Sequence, residues 1–241
     1  MNREAHAVID LPSRQLKAKK IERLLGLAPG GAPLEMLEIG CGSGGISHYF
    51  ATHEELACRV TAVDVNDNRQ VRDGYAYLHV QGVELPFAPE CFDVVISNHV
   101  IEHVGEAPAQ LQHLREIHRV LKHDGHAYLA VPNRWMVTEP HYRLKFLSWL
   151  PRRWRSPYLR FRGKGHFYDC APPQLRELEN MLDHTGMCYR NLCIEGWRET
   201  FEIERPHHWG TRLLRRIPDA LLRPLIPLVP TLIYRLERSR A

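Results

Sequence analysis

The sequence predicts an α/β fold: a doubly wound, mostly parallel seven-stranded sheet with an antiparallel last strand and an inserted lid. Three observations predict it. Strand-like apolar runs alternate with helical patterns from residue 14 to residue 131. A glycine-rich turn, Gly40-Cys41-Gly42-Ser43-Gly44-Gly45, falls between the first strand and the helix after it. The alternation then fails between 133 and 171 and resumes beyond it.

Each element has its own signal. Residues 14–27 read as a helix, with Leu16, Ile21, Leu24 and Leu25 at helical spacing and Pro29-Gly30-Gly31 to end it. Strands are predicted at 34–39, 59–65, 76–80, 92–97 and 126–131, and helices at 44–53 and 108–122. Residues 172–184 form a further amphipathic helix, opened by Pro172 and closed before Gly186. Residues 187–195 and 197–204 read as two strands separated by Gly196, a closing antiparallel pair at the sheet edge. The expected organisation is one domain over 1–241, with a lid at 133–171 over the acceptor side and a basic, apolar tail at 205–241.

Composition narrows the class. A 44% apolar and 25% charged chain of 241 residues is ordinary for a globular protein. No run approaches the ~20 apolar residues of a membrane span, and the opening MNREAHAVIDLP has no apolar signal region. The six cysteines form no C-x-x-C, as expected of reduced, cytoplasmic thiols. The net charge of +4 conceals an asymmetry: residues 141–165 carry +8 and residues 205–241 carry +6, so the remainder carries −10. Such basic segments fit an anionic partner or a solvated surface. The tail is too short and too proline-rich to cross a bilayer. It is expected either to pack on the domain or to lie on an anionic membrane surface, a peripheral place on the cytoplasmic face.

The glycine turn allows two ligand classes. Gly40, Gly42 and Gly44 spell G-x-G-x-G, while Gly40, Gly42 and Gly45 satisfy the dinucleotide G-x-G-x-x-G, and Asp64 ends the second strand where either class grips a ribose diol. The longer pattern separates them. LEIGCGSG, VTAVDV, VELPF, FDVVISNHVIEHV and REIHRVLKHDGHAYLAVPN resemble, in order and spacing, the methyltransferase type 11 group of class I S-adenosylmethionine (SAM)-dependent enzymes, a Rossmann-like family. The likeness covers residues 34–133, more weakly 172–204. It implies SAM as cofactor, with Glu38 organising the methionyl end and Gly40, Cys41 and Gly42 lying against it. It implies Asp64 on the ribose, Gln81, Gly82 and Val83 around adenine, and Asn98 beside the transferring methyl. Gln81 stands where the family places Asp. An NAD(P)-dependent oxidoreductase and a non-catalytic SAM-binding protein are the rival readings.

His99, Glu102 and His103 form H-x-x-E-H, whose members share one face if helical. This resembles the metal-binding E-x-x-E-H of some quinone and RNA 2′-O-methyltransferases, but His99 replaces the first Glu, so no metal is expected at this motif. His99, His103, His141 and His166 are the candidate bases, since neutral imidazole suits proton removal near pH 7. The lid mixes arginines with Tyr142, Phe146, Trp149, Trp154, Tyr158 and Phe161. The expected reaction is O-methylation of a small anionic or lipid-linked acceptor, with nucleic acid a weaker reading.

Overall fold

The computed structural model describes residues 10–239. In chain order they form α1 (Leu11–Leu25), β1 (Leu34–Ile39), α2 (Gly45–Ala51), β2 (Cys58–Asp64), β3 (Ala76–His79), β4 (Phe92–Asn98), α3 (Ala107–Val120) and β5 (Leu121–Pro132). There follow β6 (Thr138–Glu139), β7 (Leu144–Lys145), α4 (Arg152–Phe161), α5 (Leu175–Asp183) and β8 (Met187–Asn191). The chain ends in α6 (Cys193–Glu204), α7 (Trp209–Arg216), α8 (Asp219–Leu222) and β9 (Thr231–Arg238). The main sheet has the order β3-β2-β1-β4-β5-β9-β8 and its last strand, β9, is antiparallel to both neighbours. This is the predicted class, Rossmann-like and doubly wound.

Alternation along the strands supplies two layers, because successive side chains point to opposite faces. Met36, Val94, Ile96, Tyr128 and Ala130 meet α1 and α2 through Ile21, Leu25, Ile46 and Phe50. Their strand neighbours Leu37, Val95, Leu129 and Val131 meet α3 and α5 through Leu114, Ile117, Leu178 and Leu182. Pro12 in the first turn and Gly26 in the left-handed conformation (φ 68°) delimit α1.

The sequence expectation fails beyond residue 191. Only Met187–Asn191 is a strand; residues 193–204 are α6, and the antiparallel partner is β9, supplied by the tail. Gly196, read as a turn, lies inside α6, where a Cβ would sit 2.6 Å from Ile233 Cδ1. It permits the helix to close on the sheet. Cys193, Ile194, Trp197 and Phe201 then repeat at helical spacing. The same finding takes the end of the tail out of any membrane surface: Leu232, Ile233, Tyr234 and Leu236 are buried in the sheet between β5 and β8. Arg215, Arg235 and Arg238 pair with Glu202, Glu237 and Glu90, so part of the basic tail is neutralised within the fold. No helix among the described residues is long and apolar enough to cross a membrane.

Candidate active site

The first strand ends in a turn that only glycine tolerates. Gly40 has φ 72° and Gly44 φ 79°. A Cβ on Gly40 would lie 2.5 Å from Val100 Cγ2, and one on Gly44 would lie 2.5 Å from the Val71 carbonyl. The Gly40 N–H donates to Val63 O at 2.8 Å, which ties the turn to β2. Asp64 completes it: one carboxylate oxygen accepts from the Gly42 N–H at 2.9 Å and the other from the Asn66 N–H at 3.0 Å. Glu38, almost wholly buried, accepts from the Ser47 hydroxyl at the start of α2.

These residues line one wall of a cavity of about 1650 Å³ at the carboxyl ends of the strands, where open α/β sheets bind ligands. Glu38, Gly40, Cys41, Gly42, Asp64, Gly82, Val83, Asn98, His99, His103, His141 and His166 all line it. Gln81 does not; it is exposed at the rim beside Gly82. The segment that follows is pinned from α3: Glu116 accepts from the Leu85 N–H, and Arg119 donates to Leu85 O and Phe87 O.

The interior is fit for a polar cofactor. Asn98 Oδ1 and Ser43 Oγ are buried in the cavity wall with no hydrogen-bond partner among the described residues, and such atoms carry a cost unless a ligand meets them. Sequence reasoning missed Arg14 and Lys17, which α1 brings to the same wall. Their signal was a pair of cations on the helix face next to Leu24 and Ile21, indistinguishable in sequence from a solvated face.

Burial pushes the Glu38 carboxyl up from 4.5 to about 8, against the opposing pull of Ser47 and Arg14. The folded value exceeds the unfolded one, so the folded state holds the extra proton and stability falls as pH rises between about 4.5 and 8. Replacing Glu38 by Gln should flatten that dependence by up to ~1.4 kcal/mol per pH unit. Urea unfolding of both proteins at pH 6 and pH 8 checks this; parallel pH profiles would show that Glu38 is ionised throughout.

His99 follows β4 in a left-handed conformation (φ 59°), held by its N–H donating to Ala130 O. Burial, then Lys17 and Arg14, pull its imidazole down to about 3, so it stays neutral and takes up protons poorly. H-x-x-E-H is not a helix face, as Ile101–His103 form a single 3₁₀ turn. Glu102 nevertheless lies between both imidazoles, 3.6 Å from His99 Nδ1 and 3.8 Å from His103 Nε2.

The far wall comes from the insertion. Arg152, Arg155, His166, Tyr168, Asp169 and Cys170 line it. Arg155 is buried, with Nε donating to Leu150 O at 2.8 Å and Nη2 to Ser148 O at 2.9 Å, its guanidinium 5.6 Å from the Tyr168 ring centre. Arg152 pairs with Glu106 at 2.5 Å. The insertion's aromatics divide: Tyr142 and Tyr168 pack with Leu144, Leu147 and Leu159, whereas Trp154 and Phe161 are exposed away from the cavity.

The methyltransferase domain family matches residues 37–129. The chain is 32% identical over 159 residues to the ubiquinone biosynthesis O-methyltransferase of Ruegeria pomeroyi, covering 60% of each chain. It is 31% identical over 110 residues to the malonyl-[acyl-carrier protein] O-methyltransferase of Pectobacterium atrosepticum, covering 44% of this chain and 42% of that one. It thus spans less than two thirds of the length of these curated relatives. A solved SAM-dependent methyltransferase from Mesorhizobium loti shares the fold with a TM-score of 0.58 at 16% identity, over 95% of this chain and 100% of that one. Residues 37–129 thus match the methyltransferase domain family, and the sheet order, the glycine turn and the Asp64 strand resemble those of class I SAM-dependent methyltransferases.

Proposed function

We propose that the chain transfers the methyl group of SAM to an oxygen atom of a small anionic acceptor. The observation that carries this reading is the continuity of one cavity from the glycine turn to the insertion. At about 1650 Å³ it exceeds the ~300–1,000 Å³ of an ordinary small-molecule site, leaving room for an acceptor beside the cofactor. Glu38, Gly40, Cys41, Gly42, Asp64, Gly82, Val83 and Asn98 would hold SAM, which supplies a methyl group already activated on a sulfonium sulfur. The protein's own task is alignment of the acceptor oxygen ~3–3.5 Å from that carbon. The new O–C bond forms as the C–S bond breaks, with the electron pair remaining on sulfur. A hydroxyl acceptor must also lose its proton; His103 and His141 line the acceptor side of the cavity, whereas burial holds the His99 imidazole down at about 3.

Arg155 supports an anionic acceptor, because two backbone carbonyls fix a buried cation on the acceptor wall. Both curated relatives are O-methyltransferases by name, which favours oxygen as the target. A second observation favours a lipid-linked acceptor: residues 209–228 leave Trp209, Leu213, Leu221, Leu225 and Leu228 exposed among the exposed Arg212, Arg216 and Arg223, a pattern suited to an anionic bilayer surface. Replacing Leu221, Leu225 and Leu228 by Ser should reduce co-sedimentation with anionic vesicles.

The cofactor assignment is tested by thermal shift. SAM at one hundred times its dissociation constant should stabilise the protein by ~2.7 kcal/mol, and stabilisation by NAD instead would overturn it. Asp64→Ala should weaken SAM by ~1.5–3 kcal/mol, roughly 10- to 150-fold; an unchanged affinity would detach β2 from the ribose. The acceptor class is tested by S-adenosylhomocysteine release with carboxylic acids, phenols and their neutral analogues. Arg155→Lys should raise the KM of the anionic acceptor about tenfold while SAM affinity stays within about threefold. Equal use of neutral acceptors would defeat the anionic reading.

A further inference from the structure

The acceptor end of the cavity gathers three metal-ligating side chains from three separate segments. His103 follows β4, His141 follows β6, and Cys170 lies between α4 and α5. One ligand atom from each lies within 4.8 Å of the other two. The His103 and His141 ring centres are 5.1 Å apart, and Cys170 Sγ is 3.8 Å from His103 Nδ1. All three line the cavity.

We propose that His103, His141 and Cys170 form a binding site for a zinc-class divalent ion on the acceptor wall. Two imidazoles and one thiolate with a fourth position toward a cavity is a donor set that suits zinc and leaves room for a further ligand. Soft sulfur and imidazole select such an ion over magnesium. The surroundings agree independently. The two nitrogens of His103 face different groups, Nδ1 toward Cys170 and Nε2 toward the buried Glu102 at 3.8 Å. A ligating histidine usually turns its other nitrogen to a carboxylate, which fixes its tautomer. Asp169 lies beside the thiol, with Cys170 Sγ 3.5 Å from its Oδ1, and binding of a dication would release the thiol proton to solvent.

A metal at H-x-x-E-H, not expected from the sequence, would use His99, Glu102 and His103. Here Glu102 is a neighbour of the ligands, and His141 and Cys170 come from the insertion. The ion's catalytic part rests on the acceptor reading above. With the ion bound, His103 and His141 would serve as ligands and not as bases; the ion would lower the pKa of an acceptor hydroxyl bound to it, and the proton would leave to solvent.

The test begins with the metal alone. Chelator-stripped protein should take up one Zn²⁺ or Co²⁺ per chain in equilibrium dialysis, with Mg²⁺ failing to compete. The Co²⁺ form should show a thiolate-to-cobalt charge-transfer band. Cys170→Ser should abolish the band and His141→Gln should weaken uptake at least tenfold, with SAM-induced thermal shifts as in the parent to show that both fold. Glu102→Gln should weaken uptake ~10- to 100-fold. No stoichiometric uptake, or uptake without the band, overturns the site. If the ion binds but turnover is indifferent to its removal, the site stands and its role toward the acceptor falls. If the ion binds and no oxygen acceptor is found, the proposed function fails without the site.

Discussion

Truncation after Ile217 should abolish the folded state. It removes β9, which joins β5 to β8 through paired registers of seven and five residues. Leu232, Ile233, Tyr234 and Leu236 are each at most 4% exposed. Burying a large apolar side chain contributes ~1.5–3 kcal/mol, so losing four takes most or all of the ~5–15 kcal/mol that a domain has. Tyr234 also donates to Glu179 at 2.8 Å, fastening β9 to α5. Circular dichroism and size exclusion should show an unfolded or aggregated product without a cooperative urea transition. A truncated chain that still melts cooperatively and binds SAM would mean that the sheet closes without the tail. Leu232→Ala offers a graded check, with an expected loss of ~2–5 kcal/mol.

Gly40→Val should cost the cofactor site at least ~100-fold in SAM affinity, equivalent to ~2.7 kcal/mol. Two effects add. At φ 72° a β-branched side chain is strained, which costs of order 1–3 kcal/mol. The new Cβ also meets Val100 Cγ2 at 2.5 Å, and Val100 leads into the turn that carries Glu102 and His103. Gly31→Ala is the matched control, because a Cβ there meets nothing within 4 Å. Calorimetric titration with SAM decides it: equal affinities in the two variants would show that Gly40 is not at a close approach.

Much of this was legible in the sequence because it depends on local pattern. β1 runs Leu34–Ile39 as predicted, and β2 to β5, α1 to α3 and α5 differ from expectation mainly at their ends. Period-two burial and period-3.6 burial are written in consecutive residues. The glycine turn was legible for a related reason: a positive φ and a close approach both require glycine at a set spacing. Of the residues the resemblance pointed to for the cofactor, all but Gln81 line the cavity.

The far wall did not follow from order. Whether 187–204 continues as strand or turns into helix depended on Ile233, a residue far along the chain that occupies the space above Gly196. The tail's arginines and leucines read equally as a membrane face or a core strand until β5 and β8 left a gap between them. Arg153 and Arg155 are two positions apart in one basic run. Yet Arg155 is buried against two carbonyls at the cavity while Arg153 faces outward. His103, His141 and Cys170 are separated by dozens of residues, and no spacing rule joins them. The sequence by itself therefore determined the sheet and the glycine turn, because those rest on short-range sterics and periodicity, while the cofactor class rested on the resemblance of its ordered motifs to a known family. Only the tertiary structure decided which tail segment closes the sheet and which insertion side chains meet at the acceptor end, because those are set by packing between distant segments.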